Sequence, residues 1–136
     1  MTEYASGDGK TVTLHRAMSA RFWEQLDKLV SEHRIVIDRA RGSTHPRYPE
    51  WTYPLDYGYL HGTTSGDGAG IDVWRGSLAD ATLTAVVCCV DGEKRDVEIK
   101  LLVGCSRDEI ASIAALHNDG EQAAVVVERH RAPGSS

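Results

Sequence analysis

Apolar residues recur at helical spacing from Ser19 to His33. Phe22, Trp23, Leu26, Leu29 and Val30 fall on one stripe, the pattern of a helix that buries one face. The period changes at Arg34. Ile35-Val36-Ile37 is a short apolar run closed by the charged Asp38, and it predicts a buried strand. Residues 40–56 hold Gly42, Pro46, Pro49 and Pro54, too many breakers for a helix, and read as a loop packed by Tyr48, Trp51 and Tyr53. Three runs rich in β-branched residues, Ile71–Trp74, Leu83–Val90 and Val97–Val103, predict strands. The last two are joined by Asp91–Asp96, which predicts an antiparallel hairpin. Ser106-Arg-Asp-Glu109 is a capping box: the serine oxygen takes the amide three residues on, and the glutamate reaches back. A short helix should follow through Ile110, Ile113, Ala114 and Leu116, with Gly120 able to end it in a left-handed conformation. Ala123–Val127 predicts a final strand.

The polar stretches 1–18 and 131–136 read as flexible tails, which leaves one domain over residues 19–130. The class is α+β and mainly β. Several strands at short spacing without βαβ alternation predict a small closed barrel, with a helix before it and a short helix near its end.

Composition narrows the partners. The net charge is -5 and no basic block stands out, which argues against a nucleic-acid footprint. No apolar run approaches the ~20 residues that span a membrane. Cys88, Cys89 and Cys105 all lie in apolar runs and read as small core residues. Their odd number and the absence of a signal peptide suit the cytoplasm.

The chemistry lies in two acidic, glycine-bearing turns. Asp67-Gly-Ala69-Gly-Ile-Asp72 places two carboxylates five residues apart, and Asp91-Gly-Glu-Lys-Arg-Asp96 repeats that spacing at the hairpin tip. Carboxylates so placed suit a hard divalent cation, Mg²⁺ before Mn²⁺, which takes oxygen ligands and shares its site with phosphate oxygens. Acidic turns are also common simply because Asp and Gly turn well. The flanking Tyr57, Lys94 and Arg95 favour a metal–phosphate site.

In order, these elements are a strand ending in a carboxylate, a basic residue, Tyr53-Pro-x-x-Tyr57-Gly-Tyr, the Asp-Gly turn, then Asp91-x-x-x-x-Asp96. That series resembles the family I soluble inorganic pyrophosphatases, over roughly Ile35–Gly104 and more weakly beyond. The resemblance implies a five-stranded, OB-like barrel with the site at its mouth, a homo-oligomer, and Mg²⁺-dependent hydrolysis of pyrophosphate by metal-activated water. It carries Asp67, Asp72 and Asp96 onto one metal cluster, and Asp91 and Asp38 onto carboxylates that hold further metals. It carries Arg47 onto a phosphate-binding lysine and Tyr57 onto a tyrosine near the attacking water. Arg41, His45, Lys94 and Arg95 are further candidates to bind phosphate.

The departures are specific. Ala69 stands where the family has the aspartate that assists the water. Glu98 stands where a lysine follows the third ligand by two residues. Asn118-Asp119 replaces a Tyr-Lys pair, and the segment between Tyr48 and Tyr53 is short. A larger diphosphate or phosphate ester, or metal and phosphate binding without turnover, are the competing expectations.

Overall fold

The computed structural model describes residues 10–129, with side chains from Met18 onward. Helix α1 spans Lys10–Glu32. It therefore starts well before Ser19, and residues 10–18 are helix where a tail was expected. The rest of both expected tails lies outside the described residues.

Six strands form one sheet: β1 (Ile35–Arg39), β2 (Asp56–Leu60), β3 (Asp72–Arg75), β4 (Leu83–Asp91), β5 (Asp96–Val103) and β6 (Gln122–Glu128). Their order is β1-β2-β3-β5-β4-β6. Neighbours are antiparallel except β3 and β5, which run parallel. The expected hairpin is β4–β5, with Asp91 opposite Asp96 at its end.

Two expectations need correcting. The stretch around Tyr57-Gly-Tyr is a strand, β2, which brings the expected five strands to six and is paired on both sides. The sheet is open, with β1 at one edge and β6 at the other, and is not a five-stranded barrel. Closing a barrel buries one face inside. Here α1 packs on part of one face, and α2 with the Tyr53–Leu55 segment packs on the other, so closure is not needed to build a core.

On one face α1 lays Trp23, Leu26, Leu29 and Val30 over Leu60, Val73, Val86, Leu101 and Val103. An ion pair fastens it. Arg129, just past β6, donates from both terminal nitrogens to the two oxygens of Asp27, each at 2.7 Å. The same guanidinium lies over the Trp23 ring, 5.7 Å from its centroid.

The other face packs Tyr53, Leu55, Trp74, Val87, Leu102, Ile110 and Ile113. Two of these come from α2 (Arg107–Leu116), whose capping box forms as the sequence predicts: Ser106 Oγ accepts from the Glu109 amide, and Glu109 accepts from the Ser106 amide. The helix ends at Leu116 with His117 as its cap. Gly120 is left-handed (φ 59°) but turns the chain toward β6 and does not end the helix. No helix among the described residues is long and apolar enough to cross a membrane.

Candidate functional site

Alternation along β5 sends Asp96, Glu98, Lys100 and Leu102 to one face and Val97, Ile99, Leu101 and Val103 to the other. On the first face Lys100 is buried, only 9% exposed. The parallel register Val73–Leu101 sets Asp72 of β3 beside it, and the pairing of Tyr57 with Trp74 brings β2 into the same cluster. The Lys100 ammonium donates to Tyr57 Oη at 2.7 Å, to Asp72 Oδ2 at 2.9 Å and to Glu98 Oε2 at 2.9 Å. All three of its protons are thereby matched, as a buried ammonium requires.

The cluster sets its own charge. Burial pushes the Tyr57 hydroxyl well above the ordinary phenol range, so it stays neutral at physiological pH. Burial alone would lower Lys100, but the oxygens of Tyr57, Asp72 and Glu98 hold its proton and the net direction is up. Asp72 is pushed up by burial, against the pull of Lys100. Glu98 is less buried; burial alone would raise it, but the hydrogen bond and charge of Lys100 and a hydrogen bond from Asp72 together hold it down. The two carboxyls are close enough to share a proton on acidification, and Asp72 is the one that keeps it. Asp67 is fully exposed and is held down by the Ser65 hydroxyl and the Ala69 amide, which donate to its Oδ1 at 2.5 and 2.9 Å.

The structure thus brings together two of the residues expected at the site, Tyr57 and Asp72, and leaves others apart. Asp96 stands four residues up β5 from Lys100, which is ~13 Å at the rise of a strand. Asp91 is used locally: its Oδ1 accepts the Glu93 and Lys94 amides and shapes the hairpin turn. Asp38 is exposed on edge strand β1, beside a register shift. Arg41, Arg47, Lys94 and Arg95 are exposed, and none forms an ion pair among the described residues. The Arg47 amide donates to His45 Nδ1 at 3.0 Å, and the Arg41 amide donates to Asp56 Oδ1 at 2.8 Å.

Two residues of the cluster, Lys100 and Glu98, are absent from the expected site. They stand two residues apart on β5, so strand alternation puts both on one face.

The donor chemistry here, carboxylate oxygen, suits Mg²⁺. The arrangement does not make a protein cage. Among the described residues no three His, Cys, Asp or Glu side chains are grouped to hold a metal ion, and the Lys100 ammonium is already bonded to both carboxylates.

No family model matches the chain, and no characterised protein matches it by sequence. Solved structures do. One is an inorganic phosphatase from Anaplasma phagocytophilum, at 16% identity and a TM-score of 0.48. Another is an inorganic pyrophosphatase from Helicobacter pylori, at 16% identity and a TM-score of 0.49. Each match covers 69% of this chain and 81% of the other. At that level the likeness assigns no residue a role.

The buried His117 and the cysteines are structural. Trp74 Nε1, which can only donate, gives its proton to His117 Nε2 at 3.2 Å, so the His117 proton sits on Nδ1 and points to Gln122 Oε1 at 3.2 Å. His117 is therefore a buried bracket between α2, β3 and β6. Burial pushes the Cys89 thiol up to about 11 and that of Cys105 up to about 12, so both stay protonated core groups.

Proposed function

We propose that this chain binds and hydrolyses a small diphosphate, inorganic pyrophosphate being the first substrate to test. The observation that carries the reading is the buried Lys100 held by Tyr57, Asp72 and Glu98, within the ordered motifs that resemble family I pyrophosphatases. A buried charge network of this kind is costly to keep for stability alone, because apolar residues of the same size usually do as well.

Each member has work to do on a diphosphate. Lys100 neutralises phosphoryl oxygen charge from a position with little water, where a charge acts most strongly. The neutral Tyr57 hydroxyl donates a hydrogen bond to phosphate oxygen. With a magnesium diphosphate bound, the carboxylate oxygens of Asp72 and Glu98 that Lys100 does not take would hold the metal together with the substrate's phosphates, since Mg²⁺ is commonly held by one or two carboxylates. Arg47, Arg41 and His45 on the neighbouring loop, and Lys94 and Arg95 at the hairpin tip, add positive charge for the approach. Asp67, Asp91, Asp96 and Asp38 provide an acidic surround at longer range.

The test is phosphate release from magnesium pyrophosphate by the full chain. Lys100→Met and Tyr57→Phe should each lower kcat, the former by ~100-fold or more if the ammonium stabilises the transition state. Absence of phosphate release from every diphosphate offered would overturn the reading. Equal rates in the wild type and Lys100→Met would remove the cluster from it.

A larger diphosphate is a second reading, favoured by one observation. His45 leads a run of packed rings away from the cluster, parallel to Tyr53 and edge-on to Trp51. It lies 4.9 Å from the half-exposed Tyr48, 5.6 Å from Trp51 and 6.2 Å from Tyr53, and Tyr53 lies 5.8 Å from Tyr57. Aromatic rings in such a row can stack a base or another planar group. Faster turnover of a nucleoside diphosphate than of pyrophosphate, lost in Tyr48→Ala, would select this reading.

A further inference from the structure

Lys100 sits between two carboxylates where a metal ion could sit. Its ammonium donates to Asp72 Oδ2 and to Glu98 Oε2, each at 2.9 Å, and its third proton goes to Tyr57 Oη at 2.7 Å. The Tyr57 ring adds a further hold, with the ammonium 5.2 Å from its centroid, inside the range of a cation–π contact. Lys100 is buried, whereas the carboxylates on either side of it are about a quarter exposed. Among the described residues no other side chain or carbonyl accepts from the ammonium. Moving it aside would leave a buried cation without partners, which is costly.

The resemblance to pyrophosphatases implies a different resting state, in which carboxylates alone hold a metal cluster. The residues present do not fit that state. Among the described residues no three His, Cys, Asp or Glu side chains are grouped for a metal, and the two carboxylates that do converge already share a cation. A Mg²⁺ ligated at ~2.1 Å by either oxygen that Lys100 holds would stand no more than ~5 Å from the ammonium. Like charges at that distance in a half-buried place repel strongly.

We propose that Lys100 is a built-in counter-ion that takes the place of a divalent cation between Asp72 and Glu98, so that the chain takes up Mg²⁺ there only together with a diphosphate. The first half stands on the hydrogen bonds of Lys100, and the second rests on the proposed diphosphate site. Charge carries the argument. Two ionised carboxylates and one ammonium leave a single negative charge, which is little to hold a dication beside a fixed cation. A diphosphate adds negative oxygens that can face both cations and offset their repulsion. The metal then enters as the magnesium complex of the substrate, not ahead of it.

The test titrates Mn²⁺, followed by electron paramagnetic resonance, into the full chain, into Lys100→Met and into Asp72→Asn/Lys100→Met. The wild type should bind weakly, with Kd ~1 mM or above, and Lys100→Met at least ~10-fold more tightly, because one neighbouring cation is gone. The double variant should lose that gain, which places it on Asp72. Mg²⁺ should raise the melting temperature of Lys100→Met by mass action and leave that of the wild type nearly unchanged. If Lys100→Met does not fold, the wild type decides. The NMR signal of its Lys100 ammonium should stay in place as Mg²⁺ is added, and should move with magnesium methylenediphosphonate, a diphosphate analogue that resists hydrolysis. Tight Mn²⁺ binding by the wild type alone overturns the proposal. So does an equal affinity in Lys100→Met, a gain that survives in the double variant, or a Lys100 signal that Mg²⁺ alone displaces. A signal that ignores the magnesium analogue, with the metal titrations as expected, overturns the diphosphate half along with the proposed function and upholds the counter-ion half.

Discussion

Lys100 shows how one side chain can organise its surroundings. Taking its charge away leaves Asp72 and Glu98 facing each other with no cation between them. Breaking a buried pair in this way typically costs ~3–5 kcal/mol; because both carboxylates are about a quarter exposed, Lys100→Met should fall toward the low end, ~3 kcal/mol, at pH 7. The deficit should depend on pH. Without the lysine both carboxyls have raised folded pKa values, so stability returns as pH falls through them. Urea melts of the variant at pH 7 and pH 5 measure this, and a pH-independent deficit would contradict it. His117 works in the opposite sense. Burial lowers its pKa, and protonation would set an N–H on Nε2 against the Trp74 N–H. Its contribution is complete above about pH 6.5, the unfolded value, and is lost as pH falls from there toward the lowered folded pKa. His117→Gln should flatten the stability profile between pH 7 and pH 5 in the same melts.

At the scale of elements, Gly58 decides whether β1 and β2 can pair. A Cβ at this position would lie 1.7 Å from the Val36 carbonyl oxygen, a clash with backbone that no rotamer relieves. Gly58→Ala should therefore cost at least ~1–3 kcal/mol, the usual range for overpacking, read from a thermal melt. Hydrogen exchange should speed up first in β1. The glycine is plain in the sequence, but the strand around it was not. Tyr53 to Tyr59 holds a proline, an aspartate and a glycine among aromatics, the composition of a loop, and only pairing on both sides makes it β2. The elements with clean periods and caps, α2 above all, were legible from the residues. The site was legible in part. Tyr57 and Asp72, two members of the cluster, are named from the sequence, but Lys100 is passed over because it sits inside an aliphatic run. The available signal was its period: Asp96, Glu98 and Lys100 alternate with Val97, Ile99 and Leu101. A strand with acids and a lysine on one face and aliphatics on the other has two environments, not one.

For the whole molecule, α1 is held through its C-terminal half, by the packing of Trp23, Leu26, Leu29 and Val30 and by the Asp27–Arg129 pair among them. That pair is 42% exposed on the aspartate side, so Asp27→Asn should cost only ~0.5–1 kcal/mol. The loss should appear as faster amide exchange in α1 with β5 unchanged, which separates helix release from global unfolding.

The parallel contact between β3 and β5 carries a consequence for the order of assembly. β5 lies between β3 and β4, although β4 separates them in sequence. The hairpin β4–β5 closes locally, whereas Asp72 and Lys100 are 28 residues apart and Tyr57 and Lys100 are 43 apart. Local contacts cost less loop entropy and form earlier. Val87→Ala, in the hairpin, should mainly slow refolding. Asp72→Asn, at the late junction, should leave refolding nearly unchanged and speed unfolding. Stopped-flow fluorescence of the tryptophans would show both. The protein would then complete its Lys100 cluster only in the last step of becoming native, so a chain caught part-way would hold a folded hairpin without the cluster.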